Sequence, residues 1–459
     1  MNNTLLVELF TEELPPKALR QLGENFGRLL LDVLLRTGLK TDGSGDMRVF
    51  ATPRRLAVRL SAVRVCAEDR SEARKLMPSK VAFGADGKPS AALEKRLEKE
   101  SAQSNQLERR VEGGTEYVFV TKRIAGIALS VGLELALHEA IQKLPIPRRM
   151  NYQLADGTTT VDFVRPAHGL VALHGKEVVD VSLLGLHAGR KTHGHRFQGK
   201  RDITLASADD YEEALATEGR VIASFDARRA EIDKQLRSRA AELGANLGPE
   251  ESVIPLLDEV TALVEYPSVY VGQFESEFLV VPQECLVLTM RTNQKYFPLF
   301  DGSGKLDNRF LIVSNMHLTD PRNIIEGNQR VVRPRLADAR FFFDTDRKIR
   351  LETRVPGLAK IVYHNKLGSQ LERTERVQLL AGQVARALGA DPALAERAAW
   401  LAKADLVTNM VGEFPELQGI MGRYYAVGDG EDPLVAMAIE QHYRPRFAGD
   451  ELPDNGVAI

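Results

Sequence analysis

Residues 255–350 place the strongest constraint on the fold, because a pattern typical of β-strands is followed there by a pattern typical of a helix. Leu286, Leu288 and Met290 alternate with their neighbours, and residues 296–300 and 310–313 are rich in aromatic and branched side chains, which predicts β-structure. The sequence DGSG at 301–304 supplies residues that tolerate positive φ, as a hairpin turn between the last two strands requires.

The second half of this stretch is basic and is predicted to be helical. Pro334 is placed at the first helical position, where its missing N–H has no cost, and an apolar series follows from Leu336 to Phe343. Between residues 322 and 350, eight Lys and Arg side chains stand against four Asp and Glu side chains. The local charge is therefore positive.

Three arginines at this predicted helix start, Arg333, Arg335 and Arg340, are candidate phosphate contacts. Guanidinium groups bind phosphate oxygens in bidentate fashion, and a helix start adds unpaired backbone N–H groups. Such contacts position RNA without reading its sequence. The alternative is that these arginines form salt bridges within the chain.

Arg291 and Lys295 are further candidates, because they lie beside Tyr296 and Phe297, which could stack on unpaired bases. The alternative is a strand that packs its two aromatic side chains into a core.

Composition excludes several classes of protein. The 459 residues suffice for about two to four domains, and 44% hydrophobic with 27% charged residues is typical of globular proteins. A net charge of −2 argues against a uniformly basic nucleic-acid binder, so any RNA contact must come from a local patch. Cys66 and Cys285 are far apart and indicate neither a zinc site nor a disulfide framework. Without an 18-residue apolar run or a signal pattern, we expect no membrane contact and a cytoplasmic location.

The N-terminal region is predicted to be mixed α/β. Residues 5–10 form a predicted strand, and an apolar repeat at 19–34 predicts a helix that Thr11, Glu12 and Glu13 could cap. Two further predicted strands, at 48–51 and 56–63, flank a turn that contains two arginines. Arg54 and Arg55 are candidate phosphate contacts there, with a solvated turn as the alternative.

The next segment, 67–112, is strongly polar and is predicted to be an exposed, partly mobile insertion that includes KVAFGADGKP. A strand at 117–122 and a helix at 128–143 follow, and the helix is expected to end at the prolines of LPIP. Arg148 and Arg149, at the start of a strand-rich region, are also candidate RNA contacts.

Two later segments carry charged or histidine side chains. The spacing of His193 and His195 suits a metal, but no third or fourth ligand is evident nearby, so a basic loop is favoured. The charged helix predicted at 226–243 is interpreted as a solvated helix face, with RNA contact as the alternative.

Four segments together resemble the β subunit of bacterial, heterotetrameric glycyl-tRNA synthetase. They are EVTALVEYPSVYVGQF, VPQECLVLTMRTNQKYFPLF, GNQRVVRPRLADARFFFDTD and KADLVTNMVGEFPELQGIMGRYYA, and the likeness begins at LLVELFTEELPPKAL. The resemblance implies a ligase subunit that binds tRNA(Gly) and joins an α subunit in an α2β2 assembly, and it implies no role for DNA. It also implies that ATP and Mg²⁺ are used through α, with no cofactor and no catalytic or metal residue in this chain.

The resemblance further implies an α+β multidomain fold. Residues 1–66 and 113–250 are the predicted mixed α/β region, 251–350 a β-rich region ending in the basic helix, and 351–459 an all-helical, HD-like domain. Family members continue for some hundreds of residues, so the chain is expected to be truncated.

Motifs for independent catalysis are missing from the sequence. It contains no GxxxxGK[ST] loop, no class I synthetase signature and no convincing class II motif, which agrees with chemistry carried out by α. An HD-type metal-dependent phosphohydrolase is the competing enzyme. Such enzymes bind metal through an adjacent His-Asp pair, but here Lys403 and Ala404 precede Asp405. Only His364 and Asp405 remain as possible metal ligands, which are too few. A non-catalytic structural partner protein is the other alternative. Asp405, Glu413 and Glu416 are interpreted as surface or capping carboxylates. The alternative is that the loop GEFPELQG at 412–419 forms an interface with α or with the tRNA acceptor stem.

Overall fold

The structure, a computed structural model, describes residues 2–41, 46–84, 87–100 and 102–458. The chain forms two compact units, the first comprising Met1–Glu231 with Asp258–Pro267 and the second Ile232–Leu257 with Ser268–Ile459. The predicted boundaries at 66, 112, 250 and 350 remain predictions. In the described ranges, no helix is both long enough and apolar enough to cross a membrane.

Short strands and a few longer helices build the part of the chain before residue 243. The strands are β1 (Asn2–Thr11), β2 (Met47–Thr52), β3 (Arg55–Arg64), β4 (Arg70–Pro78), β5 (Leu107–Glu112), β6 (Thr115–Ile124), β7 (Met150–Gln153), β8 (Thr160–Phe163), β9 (Ala167–His174), β10 (Glu177–Val178), β11 (Ser182–Leu183), β12 (Leu186–His187), β13 (Lys191–His193) and β14 (Asp202–Thr204). The helices are α1 (Pro16–Arg36), α2 (Ser79–Ala82), α3 (Ala91–Lys99), α4 (Leu129–Lys143), α5 (Tyr211–Thr217) and α6 (Phe225–Glu242).

An antiparallel sheet of order β10-β9-β1-β3-β2 forms the centre of the first unit. Side chains of β1 alternate between its two faces. Leu5, Val7 and Leu9 join the apolar core that also contains residues of α1 and α4, whereas Leu6 joins a second core on the opposite face. Glu8 belongs to the second face by the same alternation, and it is 1% exposed.

Most elements predicted before residue 244 are confirmed, including strands at 5–10, 48–51, 56–63 and 117–122 and helices at 19–34, 128–143 and 226–243. The predicted cap of α1 is wrong, because Thr11 still belongs to β1 and the N-cap position is occupied by Pro15, without a side-chain cap. Arg228 also departs from the predicted solvated helix face of α6, since it is fully buried and donates to the carbonyl oxygens of Ala51 and Thr261.

The polar segment 67–112 has defined structure of its own. Its strands β4 and β5 pair on either side of β6, and the helices α2 and α3 bury Ala82 and Leu93 in a small core. Most of its other side chains are exposed, as its composition predicts. Part of KVAFGADGKP, at 85 and 86, lies outside the described residues.

Helices dominate the rest of the chain. The strands are β15 (Ser268–Gln273), β16 (Phe297–Phe300), β17 (Leu306–Ser314), β18 (Val362–His364) and β19 (Gly368–Ser369). The helices are α7 (Glu250–Thr261), α8 (Gln283–Leu288), α9 (Arg322–Asp346), α10 (Leu351–Arg354), α11 (Gln370–Leu388), α12 (Pro392–Leu401), α13 (Asn409–Glu413), α14 (Ile420–Gly428) and α15 (Pro433–Gln441).

The hairpin predicted around DGSG is confirmed, because β16 and β17 pair antiparallel and Gly304 has a φ of +80°. The strand predicted at 286–290 is wrong. Those residues form the end of α8 and the start of a short π-helical turn, Thr289–Asn293. Short apolar runs do not distinguish a strand from a buried helix, and burial of Cys285, Leu286 and Met290 follows a helical spacing.

Pro334 lies in the interior of α9, so its predicted place at a helix start is wrong. The buried positions Val332, Leu336, Ala339 and Phe343 follow one helical stripe across the proline. Packing of that stripe outweighs the backbone hydrogen bond that a proline cannot donate.

The region 351–459 is mainly helical, as predicted, but it is not all-helical, because β18 and β19 form a two-stranded hairpin. Its helices pack Leu401, Met421 and Ile439 into the apolar core that also holds Phe310 and Leu336. The chain as a whole is mixed α/β with several antiparallel sheets.

Candidate functional site

A cavity of about 560 Å³ opens in the first unit where β1 ends. Phe10 from β1, Arg54 from the β2–β3 turn and His168 from the start of β9 line it, together with residues of the β13–β14 connection. Its charged and polar side chains are Glu12, Arg54, His168, His195, Arg196 and Arg201. We call this cavity the basic pocket.

Arg54 and Arg55 occupy the same turn but have different environments. The Arg54 guanidinium lies over the Phe10 ring, 4.7 Å from its centroid, and its Nε is buried without a hydrogen-bond partner among the described residues. Arg55 is fully buried, and its guanidinium lies 3.2 Å from the Glu265 carboxylate and 3.6 Å from that of Glu8. Arg55 therefore serves the interior of the unit, and Arg54 faces the pocket.

A buried polar network continues beneath the pocket from Arg55. Thr192 donates to Glu8 at 2.6 Å, and Tyr211 donates to the second oxygen of the same carboxylate. Burial, then Glu8, raises the pKa of Tyr211 well above its ordinary value. Burial alone would lower the pKa of Arg55, but Glu265 and Glu8 raise it above its usual range. The charged groups of this network thus hold in place the β2–β3 turn that carries Arg54.

Two glycines shape the loop that carries most of the pocket wall. A Cβ at Gly199 would lie 2.0 Å from the Gly219 carbonyl oxygen, and a Cβ at Gly194 would lie 2.5 Å from that of Lys200. Neither contact is compatible with a side chain, so the loop needs glycine at both positions. The resulting close approach lets the His195 N–H donate to Gly219 at 2.7 Å, which fixes the histidine in the wall.

His195 is the most buried polar side chain of the wall, at 1% exposure. Its Nδ1 accepts from the backbone N–H groups of Phe197 at 3.3 Å and Gln198 at 3.2 Å. Because Nδ1 is an acceptor, the neutral ring carries its proton on Nε2. That Nε2 is buried and has no hydrogen-bond partner within the described ranges.

Glu12 is the carboxylate of the pocket wall. It lies 3.0 Å from His168 Nε2 and 3.6 Å from the Arg196 guanidinium, whose other ionic partner is Glu13, also at 3.6 Å. Exposed pairs of this kind contribute little, about 0–1 kcal/mol each. The Arg196 side chain is therefore readily available to another anion.

The predicted sites in the second unit are mostly engaged with acidic partners. Arg333 pairs with Glu275 and Arg340 with Glu277, each at 2.6 Å. Arg335 is exposed and has no ionic partner in the part of the chain that the structure describes. Hydrogen bonding from Arg333 lowers the pKa of Glu275. The salt-bridge alternative thus describes Arg333 and Arg340 but not Arg335.

Arg291, Lys295 and the neighbouring aromatic residues lie against the core. Burial lowers the pKa of Arg291, whose Nη2 donates to the Leu247 carbonyl oxygen at 3.4 Å. Lys295 is half-buried with a φ of +59°. Tyr296 and Phe297 are buried at 4% and 2% exposure, so the core interpretation of these rings is confirmed.

Arg148 and Arg149 are both exposed but differ in their contacts. Arg148 is exposed, whereas Arg149 donates to the Ile141 carbonyl oxygen at 3.0 Å and lies 3.5 Å from the Asp162 carboxylate. The structure therefore leaves Arg148 at the surface and uses Arg149 to hold the end of α4.

Asp405 is buried in the helical region and accepts from the N–H groups of Gly419 at 2.6 Å and Gly422 at 3.1 Å. Burial raises the pKa of Asp405 to about 6, and burial lowers the pKa of the neighbouring Lys403 to about 8. Asp405 thus anchors the end of the GEFPELQG loop. The described residues contain no group of three or more His, Cys, Asp or Glu side chains suited to a metal.

Of the residues predicted as RNA contacts, Arg54 is the one that lines the basic pocket. His193 and His195, which the sequence analysis considers as metal ligands, line it as well. Arg196, Arg201 and His168 were not predicted as site residues, although HGHR and RPAH mark two basic segments in the sequence. No local signal shows that these segments meet, because β1, β9 and the β13–β14 connection are far apart in the chain.

A family described as glycyl-tRNA synthetase beta subunit matches residues 5–459. The chain belongs to this family. The glycine–tRNA ligase beta subunit of Janthinobacterium sp. (strain Marseille) is 57% identical over 459 residues, covering 99% of this chain and 65% of that relative. The proteins of the same name from Delftia acidovorans and Aromatoleum aromaticum are each 56% identical, covering 100% and 99% of this chain. The chain spans 66% and 65% of the length of these two relatives.

Proposed function

We propose that this chain acts as the β subunit of a glycine–tRNA ligase, which binds and positions tRNA(Gly) while an α subunit carries out ATP-dependent glycylation. The observation that carries the proposal is the family match over residues 5–459, with 57% identity to a relative named as such a subunit. ATP and Mg²⁺ are assigned to α, and the assembly is proposed to be a cytoplasmic α2β2 heterotetramer.

Local patches supply the proposed RNA contacts, because the net charge of the chain is −2. Arg335 and Arg148 are exposed, and Arg54 faces the basic pocket. Arg333 and Arg340 would exchange Glu275 and Glu277 for phosphate, which reduces their net contribution. The proposed binding of RNA is thus electrostatic and depends on a few arginines.

The region 351–459 is proposed to correspond to the HD-like domain of the family without its hydrolytic activity. Lys403 and Ala404 stand where a metal-binding pair is required, and Asp405 already accepts two backbone hydrogen bonds. Both observations favour a structural role for Asp405 over metal-dependent phosphoester hydrolysis.

Reconstitution with the α subunit tests the proposal. Glycylation of tRNA(Gly) is measured with α alone, this chain alone and both together, and a full-length relative of the same family provides the matched control. We expect activity with the full-length control and α, RNA binding by this chain, and co-purification of this chain with α.

Other results identify the alternatives. Hydrolysis of phosphoesters by this chain with Mn²⁺ would indicate an HD-type enzyme, and binding to α without binding to tRNA would indicate a structural partner protein. Formation of glycyl-adenylate by this chain alone would overturn the proposal.

A further inference from the structure

We propose that the basic pocket binds the phosphate group of a ligand of mononucleotide size. The proposal rests on the geometry of the first unit, and it shares Arg54 with the proposed RNA contacts.

Positive charge converges on the pocket from separate parts of the chain. Arg54 reaches it from the β2–β3 turn, Arg196 from the loop after β13, and Arg201 from the residue before β14. Glu12 is the opposing carboxylate of the wall, so the lining carries more positive than negative charge. A site with three guanidinium groups attracts an anion.

Unused hydrogen-bond donors indicate where that anion would lie. His195 is 99% buried, and its Nε2–H has no partner within the described ranges although backbone groups occupy its Nδ1. The Nε of Arg54 is likewise buried without a partner. A buried donor without an acceptor destabilises the fold, and a bound anion would offset that cost.

Donor number favours phosphate over carboxylate. The three guanidinium groups and the imidazole N–H offer more donors than the two oxygens of a carboxylate accept in one plane. A phosphate presents three acceptor oxygens in different directions, and arginine forks match them in bidentate fashion.

Size and an adjacent ring favour an attached nucleoside. The cavity measures about 560 Å³, more than an inorganic phosphate requires. Phe197 is 72% exposed and lies edge-to-face with His195 at a centroid distance of 6.2 Å. An exposed aromatic ring beside a phosphate site can stack on a base.

Titration calorimetry with AMP, adenosine and a short single-stranded RNA tests the proposal. We expect AMP to bind more tightly than adenosine. Arg201→Ala should weaken AMP binding about tenfold, because a hydrogen bond to a charged group contributes roughly that factor. Arg28→Ala, which removes an exposed arginine of α1, should leave AMP binding unchanged.

Two further variants separate ligand binding from loss of fold. His195→Asn keeps an acceptor near Nδ1 for the Phe197 and Gln198 N–H groups and removes the Nε2 donor, so AMP binding should weaken several-fold with unchanged thermal stability. Glu12→Gln removes the negative charge beside Arg196 and should strengthen AMP binding several-fold. A damaged fold would not increase affinity.

The same variants distinguish the source of the phosphate. AMP binding that is sensitive to Arg201→Ala supports a free mononucleotide. RNA binding that weakens with Arg201→Ala but not with Arg28→Ala, without AMP binding, supports a phosphate that belongs to RNA. Equal affinities for AMP and adenosine, or variants that all behave like Arg28→Ala, would overturn the proposal.

Discussion

Arg55 lies in the buried polar network beneath the basic pocket, close to the carboxylates of Glu8 and Glu265. Its guanidinium donates to Thr52, to the His193 carbonyl oxygen and to Glu265, and it is fully buried. A buried ion pair contributes little net stability, but breaking one by removing a partner leaves an uncompensated charge.

Arg55→Met is therefore expected to lower the free energy of unfolding by about 3–5 kcal/mol, because Glu8 and Glu265 would remain buried without a cation. Urea denaturation measures the loss. Arg148→Met, at an exposed position, should change the free energy of unfolding by no more than about 0.5 kcal/mol. Equal effects of the two substitutions would show that the network does not need Arg55.

Asp405 predicts a specific pH dependence of stability. Burial raises the pKa of Asp405 to about 6, above a value of about 3.9 in the unfolded chain. The folded state holds the proton more tightly, so this residue favours folding below about pH 4 and its contribution is lost as the pH rises toward about 6.

Asp405→Asn keeps an oxygen for the Gly419 and Gly422 N–H groups but cannot ionise. Its free energy of unfolding relative to the wild type should rise by about 3 kcal/mol between about pH 4 and pH 7, from a pKa shift of roughly two units. Urea denaturation of both proteins across this range measures the difference. A difference that is constant, or that grows toward acidic pH, contradicts the prediction.

At the scale of the element, α9 shows what a local signal can and cannot predict. Pro334 is typical of a helix start, and the apolar spacing after it was predicted correctly as helical. The twelve residues before the proline, 322–333, belong to the same helix, and Val332 continues its buried stripe. Only packing against the core, which no local pattern records, decides that the helix continues through Pro334.

Pro334→Ala is expected to raise the thermal stability of the chain. Alanine restores a backbone N–H that can donate to the Arg330 carbonyl oxygen. Removing an interior proline can raise the free energy of unfolding by up to about 3 kcal/mol. Val331→Ala, an exposed position on the same helix, serves as the control for helix propensity alone, worth less than about 0.7 kcal/mol. A lower melting temperature would instead show that the proline is needed to place Leu336 and Phe343 in the core.

For the whole molecule, short-range structure was predictable and long-range contacts were not. The hairpin at 301–304 and the strands and helices of the N-terminal region follow from turn residues and periodicity within a few positions. Arg55 and Glu265 are 210 positions apart, and the His195 loop depends on Gly219. The basic pocket therefore emerges only from tertiary structure, whereas the family was recognisable from contiguous segments.

Salt dependence distinguishes the two kinds of arginine on the proposed RNA-binding surface. Each phosphate contact releases counterions, so the logarithm of the RNA-binding constant should fall linearly with the logarithm of salt concentration. Arg335 is exposed without an ionic partner among the described residues, and Arg335→Ala should reduce that slope by about 1. Arg333 must first leave Glu275, so Arg333→Ala should reduce the slope by less. Filter binding of tRNA(Gly) at several salt concentrations measures both slopes. If Arg335→Ala leaves the slope unchanged while Arg333→Ala lowers it, then Arg333 leaves Glu275 to bind phosphate, and exposure in the isolated chain does not identify the phosphate contacts.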